Sequence, residues 1–335
     1  MYWNYVKLFL AMVTAEVASL VIAVVLGSML WTWLLLASLV IFAILCTLLV
    51  IAYLRMLGGD WEELLDNSFL IKETVDVPMA DGWSLVARVV RHPKFEGKKC
   101  PAIICHHGLG GNSKRLSWLA APLAMRGYIV VLPDARGHGD SAKRFKKARK
   151  DDWYIDEQRG VLPDYHRIVD YVCSRTDVDT TRIAAIGHSL GGVTTLTSGL
   201  VEPRVKLAIP MSPYYSFVDL IEAKRGRKPF SEEWFSKHVL RIFISFAKLR
   251  KLDEKISPKY YFKMFPPGDA RAKVRLVHCK DDKLVLFEDS SAKIIADLEL
   301  PPDHILLLEK GDHELRGQET IITMKILEWL TEAGI

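Results

Sequence analysis

Close cysteine pairs are missing from this chain. Its five cysteines (Cys46, Cys100, Cys105, Cys173, Cys279) include no C-x-x-C pair, and their number is odd. That excludes a disulfide framework or a cysteine zinc site and suits a reducing compartment. An excess of one charge is missing too: 45 Lys and Arg stand against 40 Asp and Glu, a net +5. So mild a balance does not argue for nucleic acid, and no nucleic-acid-binding module is recognisable. No Gly-Lys-Ser/Thr closes a phosphate loop, no His-x-x-Glu-His spacing occurs, and there is no internal repeat or low-complexity tract. Neither a metal nor a cofactor is expected.

Charge is scarcest at the N-terminus. From Leu8 to Leu54 only Glu16 is charged among 47 residues. One helix of that length would run about 70 Å, against a hydrocarbon core of about 30 Å. Two spans with a turn between them fit better, and Gly27–Ser28 with Trp31 and Trp33 supply a turn and interfacial aromatics. A secretory signal peptide would have a far shorter apolar region. The expectation is a transmembrane hairpin over residues 1–58, with helices near 7–28 and 32–54. Glu16 would bond the other helix or sit near the interface. Lys7 and Arg55 flank the hairpin and its turn is uncharged, so positive-inside logic places the rest of the protein in the cytoplasm.

Beyond the apolar run the chain has the composition of a folded domain; over the whole sequence half of the residues are apolar and a quarter charged. Phe69–Met79 and Ser84–Arg91 alternate as antiparallel strands around an Asp81–Gly82 turn. Strands and helices then take turns: Ala102–His106, Arg115–Arg126, Ile129–Pro133, Leu162–Ser174, Arg182–Gly187, Leu190–Val201, Val205–Met211, Val274–Cys279, Phe287–Leu298, His304–Leu308 and Gly317–Thr331. That rhythm predicts a mostly parallel sheet with helices on both faces over residues 69–335. About sixty residues separate Met211 from Val274, too many for an ordinary connection, and they predict a helical lid inserted at about 212–270.

The strongest motif is Gly187–His188–Ser189–Leu190–Gly191, set between a strand and a helix. A sharp strand-to-helix turn crowds the backbone around a nucleophile and needs small residues beside it. The next helix aims its first N–H groups at a developing oxyanion. A second motif, His106–His107–Gly108–Leu109–Gly110–Gly111, ends the first parallel strand, where a glycine-rich loop lets backbone N–H groups face a reacting carbonyl oxygen.

With these motifs the chain resembles the α/β-hydrolase superfamily from about residue 69 to the end. Asp134–Ala135–Arg136–Gly137–His138–Gly139–Asp140–Ser141 is similar to the superfamily's motif after the next strand. Val178–Asp179–Thr180–Thr181–Arg182–Ile183 looks like the dienelactone-hydrolase and prolyl-oligopeptidase-like branches, and the lid and overall motif set look more like monoglyceride lipases and esterases. The resemblance implies a triad in the order nucleophile, acid, histidine. Ser189 is then the nucleophile, and the acid falls in Val277–His278–Cys279–Lys280–Asp281–Asp282–Lys283–Leu284–Val285. An apolar residue three positions on selects Asp282 and leaves Asp281 as the alternative; Cys279 stands where the family often has glycine. His313, in Glu309–Lys310–Gly311–Asp312–His313–Glu314, is the base. The N–H groups of Leu109 and Leu190 would hold the oxyanion, with Gly108, Gly110, Gly187 and Gly191 shaping the two turns. His106, His107, His138 and His188 are expected to shape loops rather than bind metal.

Residues 143–150 carry six basic side chains and no acid, and residues 212–265 carry twelve Lys and Arg against six Asp and Glu. Both segments come after C-terminal ends of parallel strands, so this charge is expected on the catalytic face. Trp234–Leu252 mixes aromatics with Lys and Arg, a composition suited to an interfacial helix as well as to a packed lid. The expected activity is hydrolysis of an acyl ester at a bilayer, with lipid esters among the candidate substrates. A peptidase or thioesterase using the same triad is the enzymatic alternative, and an inactive membrane scaffold is the alternative of another class.

Overall fold

The computed structural model describes residues 13–19, 21, 33, 36–47, 69–144, 161–222, 250, 253–262 and 272–335. The chain divides into two compact units, Met1–Gly59 and Asp60–Ile335.

In the first unit residues 13–19 and 36–47 are helical. Ser38 Oγ donates to Glu16 Oε2 at 2.8 Å, so the one acid of the apolar run bonds a residue of the other helical stretch. All four expected span boundaries, 7, 28, 32 and 54, lie outside the described residues. Among those described, no helix is long and apolar enough to cross a membrane.

Among the described residues the second unit holds an eight-stranded sheet in the order β1-β2-β4-β3-β5-β6-β7-β8. The strands are β1 (Ile71–Pro78), β2 (Ser84–Arg91), β3 (Cys100–His106), β4 (Ile129–Pro133), β5 (Val178–His188), β6 (Val205–Met211), β7 (Leu276–Cys279) and β8 (Ile305–Leu308). Only β2 runs antiparallel to its neighbours β1 and β4; every pairing from β4 to β8 is parallel. The hairpin turn forms at the expected place. Gly82 takes φ +83°, which an L side chain resists, and Met79 N–H donates to the Trp83 carbonyl at 2.6 Å.

The parallel strands are apolar at consecutive positions because both faces are covered. Ile103, Cys105, Val130, Leu132, Ala184 and Ile186 enter one core with helices α1 (Ser117–Met125) and α8 (Glu319–Glu332). The alternate residues Ala102, Ile104, Ile129, Val131, Ile183 and Ala185 enter another with α3 (Val161–Ser174), which follows the short α2 (Gly139–Arg144). The period of two in a strand produces this split. Helix α8 buries Ile322, Ile326, Trp329 and Leu330, one stripe at helical spacing, and Trp329 is wholly enclosed. Burying one such large side chain is worth about 3 kcal/mol.

Two elements begin four residues from the expected position, and the other boundaries agree within two. Strand β5 begins at Val178, not Arg182, because Val178 already pairs with Cys100 across an irregular register. The helix expected over Phe287–Leu298 is α7 (Ser291–Leu298), since residues 287–290 form a turn closed by the Ser290 N–H donating to the Phe287 carbonyl at 3.2 Å. Of the insertion, α5 (Phe217–Glu222) and α6 (Pro258–Tyr261) are described; the segment Trp234–Leu252 and the basic run 143–150 lie largely outside the described residues. The ends of the insertion meet at Asp253. Its 2 % exposed carboxylate accepts from Ser216 Oγ, Ser257 Oγ, Val218 N–H and Lys259 Nζ, closing the two flanks against each other.

The sheet order places the site. From β3 the chain moves to β4 on one side, then crosses back to β5 on the other. The direction of winding across the sheet reverses here, and a crevice opens beyond the C-terminal ends of the strands. Both glycine motifs lie at this crevice, at the ends of β3 and β5.

Candidate active site

Ser189 sits between β5 and α4 (Leu190–Val201) with φ +56° and ψ −116°, a conformation few non-glycine residues adopt. Its own N–H is bonded to the Met211 carbonyl of β6 at 2.8 Å, which holds the bend against the sheet. The flanking glycines are required by space. A Cβ on Gly187 would lie 2.1 Å from the Gly191 carbonyl oxygen, and one on Gly191 would lie 2.1 Å from the His106 carbonyl oxygen. Strand and helix therefore approach to backbone contact, and the hydroxyl stands out at the tip.

His313 and Asp282 arrive from loops after β8 and β7. Ser189 Oγ is 2.9 Å from His313 Nε2, and His313 Nδ1 is 2.8 Å from Asp282 Oδ2. A carboxylate only accepts, so Nδ1 carries the proton and Nε2 is free to accept from the hydroxyl. Asp282 is 1 % exposed, and its other oxygen accepts the N–H groups of Leu284 and Val285 at 2.9 and 2.8 Å. Burial disfavours its charge. The His313 charge and hydrogen bond, with His278 and the Val285 N–H, outweigh this and lower its pKa. Burial likewise opposes protonation of His313, but Asp282, Glu314 and Asp312 outweigh it and raise its pKa.

The alternative acid faces elsewhere. Asp281 is exposed, and its Oδ1 accepts the N–H of Asp312, so it holds the backbone of the loop that carries His313. That loop is strained, with Asp312 at φ +53° and Leu315 at φ +60°.

The glycine-rich loop after β3 lies against the elbow: a Cβ on Gly108 would come within 3.2 Å of the Ser189 Cβ. Leu109 is next in that loop, 43 % exposed, and Gly110 takes φ +74° with open space around it. Leu190 is the first residue of α4, where N–H groups have no carbonyl one turn back. His107 braces the loop. Its Nδ1–H donates to the Gly108 carbonyl at 2.8 Å and its Nε2 accepts from Ala135 N–H at 3.0 Å. Burial, with His138 nearby, holds its pKa down to about 4, so it stays neutral. His106 stacks on Tyr165 with ring centroids 5.2 Å apart, and His138 Nδ1 meets the Arg136 carbonyl at 3.0 Å. These three motif histidines thus contact backbone or rings. Among the described residues no group of three or more His, Cys, Asp or Glu is arranged to hold a metal.

Several supporting residues were not singled out for their role by the sequence. Arg136 is 4 % exposed and bonds both Asp81 and Asp164, with its guanidinium 4.7 Å from the centre of the Trp83 ring. It ties the loop after β4 to the β1–β2 turn and to α3. His278 is fully buried between the Val285 carbonyl, 2.9 Å from Nε2, and Ser291 Oγ, 2.7 Å from Nδ1, and so fixes the turn that holds Asp282. A histidine in a buried strand was the available hint for it. Arg115 pairs with Glu314, joining the turn after the glycine-rich loop to the His313 loop.

The family model Hydrolase_4, described as serine aminopeptidase, S33, matches residues 97–264, half of the chain. That stretch holds the glycine-rich loop after β3 and Ser189; Asp282 and His313 lie beyond it. The chain is 28 % identical over 139 residues to the cutinase est1 of Thermobifida alba, covering 41 % of this chain and 42 % of the cutinase. Among solved structures, a puromycin-hydrolyzing peptidase of Mycobacterium tuberculosis has a TM-score of 0.59 at 18 % identity, covering 79 % of this chain and 39 % of the peptidase. A 2,6-dihydroxy-pseudo-oxynicotine hydrolase has a TM-score of 0.58 at 16 % identity, covering 99 % of this chain and 88 % of the other. These two likenesses concern the fold. The chain spans less than half the length of the first curated relatives it matches.

Proposed function

Because this chain belongs to the Hydrolase_4 family of α/β-hydrolases, we propose that it is a serine hydrolase cleaving carboxylic esters, of lipid type, through an acyl-enzyme. The observation that carries this reading is the line of three side chains, Ser189 to His313 at 2.9 Å and His313 to Asp282 at 2.8 Å, at the crevice of the sheet. Ser189 Oγ attacks the acyl carbon while its proton passes to His313 Nε2. Asp282 holds the tautomer that makes this transfer possible and stabilises the imidazolium. The N–H groups of Leu109 and Leu190 bind the oxyanion, each donor worth about 3–4 kcal/mol in known sites of this kind. Collapse breaks the bond to the alcohol, which leaves with the proton from His313. A water then adds to the acyl carbon, gives its proton to His313, and the carboxylic acid departs as Ser189 regains its own.

The ester is supported by the likeness to a cutinase, and the lipid character by the apolar run from Leu8 to Leu54. In this reading residues 1–58 form a two-span hairpin that anchors the protein, with the hydrolase domain in the cytoplasm. The insertion at about 212–270 is the lid, and the basic run 143–150 meets anionic headgroups. A peptidase is the second reading, favoured by the description of the family model.

A panel of p-nitrophenyl esters of increasing acyl length, with peptide p-nitroanilides alongside, separates these. Wild type should hydrolyse the longer esters and label with a fluorophosphonate, and Ser189→Ala should do neither. Hydrolysis that stops at short acyl chains refutes the lipid reading, and preference for the anilides selects the peptidase. An unlabelled wild type would leave a scaffold.

A further inference from the structure

Two consecutive residues of the elbow grip one histidine from opposite ends. Ser189 Oγ meets the His313 ring at Nε2, and His188 Nε2 lies 2.6 Å from the His313 main-chain oxygen. A carbonyl oxygen only accepts, so His188 carries its proton on Nε2 and donates it there. Burial, with His313 adding to it, holds the His188 pKa down to about 4, and the ring stays neutral in this tautomer. The His188 and His313 rings lie 5.0 Å apart and tilted by 45°, so they are neighbours without being stacked. On its other edge His188 Nδ1 faces the oxyanion loop: it would be 3.4 Å from a Cβ on Gly108.

The His313 loop needs such a grip. Asp312 and Leu315 hold left-handed conformations that persist only where the surroundings over-determine them. Asp281 holds this loop to the turn after β7, and Arg115 holds it through Glu314 to the turn after the oxyanion loop. Neither of these ties refers the loop to the nucleophile. The bond from His188 does, because its donor is the residue covalently joined to Ser189.

We propose that His188 is a positioning residue: its hydrogen bond to the His313 carbonyl sets the distance between base and nucleophile, and it touches no reacting atom. This rests on the serine-hydrolase reading above. Without the donor the loop relaxes and the Oγ to Nε2 approach loosens, a misplacement that costs about 10–100-fold in rate.

The test uses the full chain purified in detergent, with a p-nitrophenyl ester and a fluorophosphonate. His188→Phe keeps a ring and removes the donor. It should lower kcat and the labelling rate by about 10–100-fold while KM stays within about twofold, because ground-state binding is untouched. His188→Gln restores an N–H donor at similar reach and should recover most of that loss. Should His188→Phe not fold, Gln is compared with Asn, which places the donor one methylene short and should be about tenfold slower. Equal rates in Phe and wild type, Gln as slow as Phe, or Gln equal to Asn would each overturn the positioning role. A wild type that takes up no fluorophosphonate would refute the hydrolase reading itself, so the two failures are distinguishable.

Discussion

Replacing Asp282 by Asn alters one atom of a fully enclosed carboxylate. The Oδ1 that accepts Leu284 and Val285 N–H can remain an oxygen, so the turn after β7 keeps both bonds. The atom 2.8 Å from His313 Nδ1 becomes an amide nitrogen, and two donors then face each other. The ring escapes by moving its proton to Nε2, where it can no longer take the proton of Ser189. A wrong tautomer of this kind lowers kcat by about 10⁴-fold in a well-studied protease. At 1.36 kcal/mol per tenfold, that is about 5 kcal/mol of lost transition-state stabilisation. Asp281→Asn keeps an acceptor for the Asp312 N–H and only weakens a charge-assisted bond at an exposed site, so it should cost less than about tenfold. The assay is p-nitrophenyl ester hydrolysis with melting curves for both variants. Should Asp282→Asn retain activity within about tenfold of wild type, or Asp281→Asn fall as far, the assignment of the acid is wrong.

Other outcomes rest on the same geometry. His313 must be neutral to act as base, and its pKa is raised above the ordinary 6.5, chiefly because Asp282 outweighs the effect of burial. The acid limb of kcat/KM should therefore lie above 6.5, and a limb below it would refute the pairing. The stability that His313 contributes runs oppositely: it is fully present below 6.5 and lost as pH rises through the raised value. Gly191→Ala drives a methyl into the His106 and His107 carbonyls of the neighbouring strand end and should destabilise the fold by about 3 kcal/mol or more in chemical denaturation. Gly110→Ala meets nothing within 4 Å and should cost only about 1–2 kcal/mol for its positive φ. Equal costs would show that backbone contact does not dictate the glycine at 191.

What the sequence by itself determined was local. Alternating and continuous apolar runs, with glycine turns, located β2, β4, β6 and α4 to the residue, and the steric demands of a sharp bend singled out Ser189. Such signals come from neighbours a few positions apart, so they survive without a fold. The resemblance carried His313 and preferred Asp282 to the adjacent Asp281. Only the tertiary structure showed Asp282 facing His313 while Asp281 holds the backbone of the His313 loop. The roles of His188, His278 and Arg136 were decided there as well. His188 reaches a carbonyl 125 positions away, Arg136 joins acids 55 and 28 positions distant, and His278 acts through a turn. No pattern along the chain encodes such meetings, because the strand order creates them when β5 crosses back beside β3 and the loops beyond the strand ends converge on one crevice.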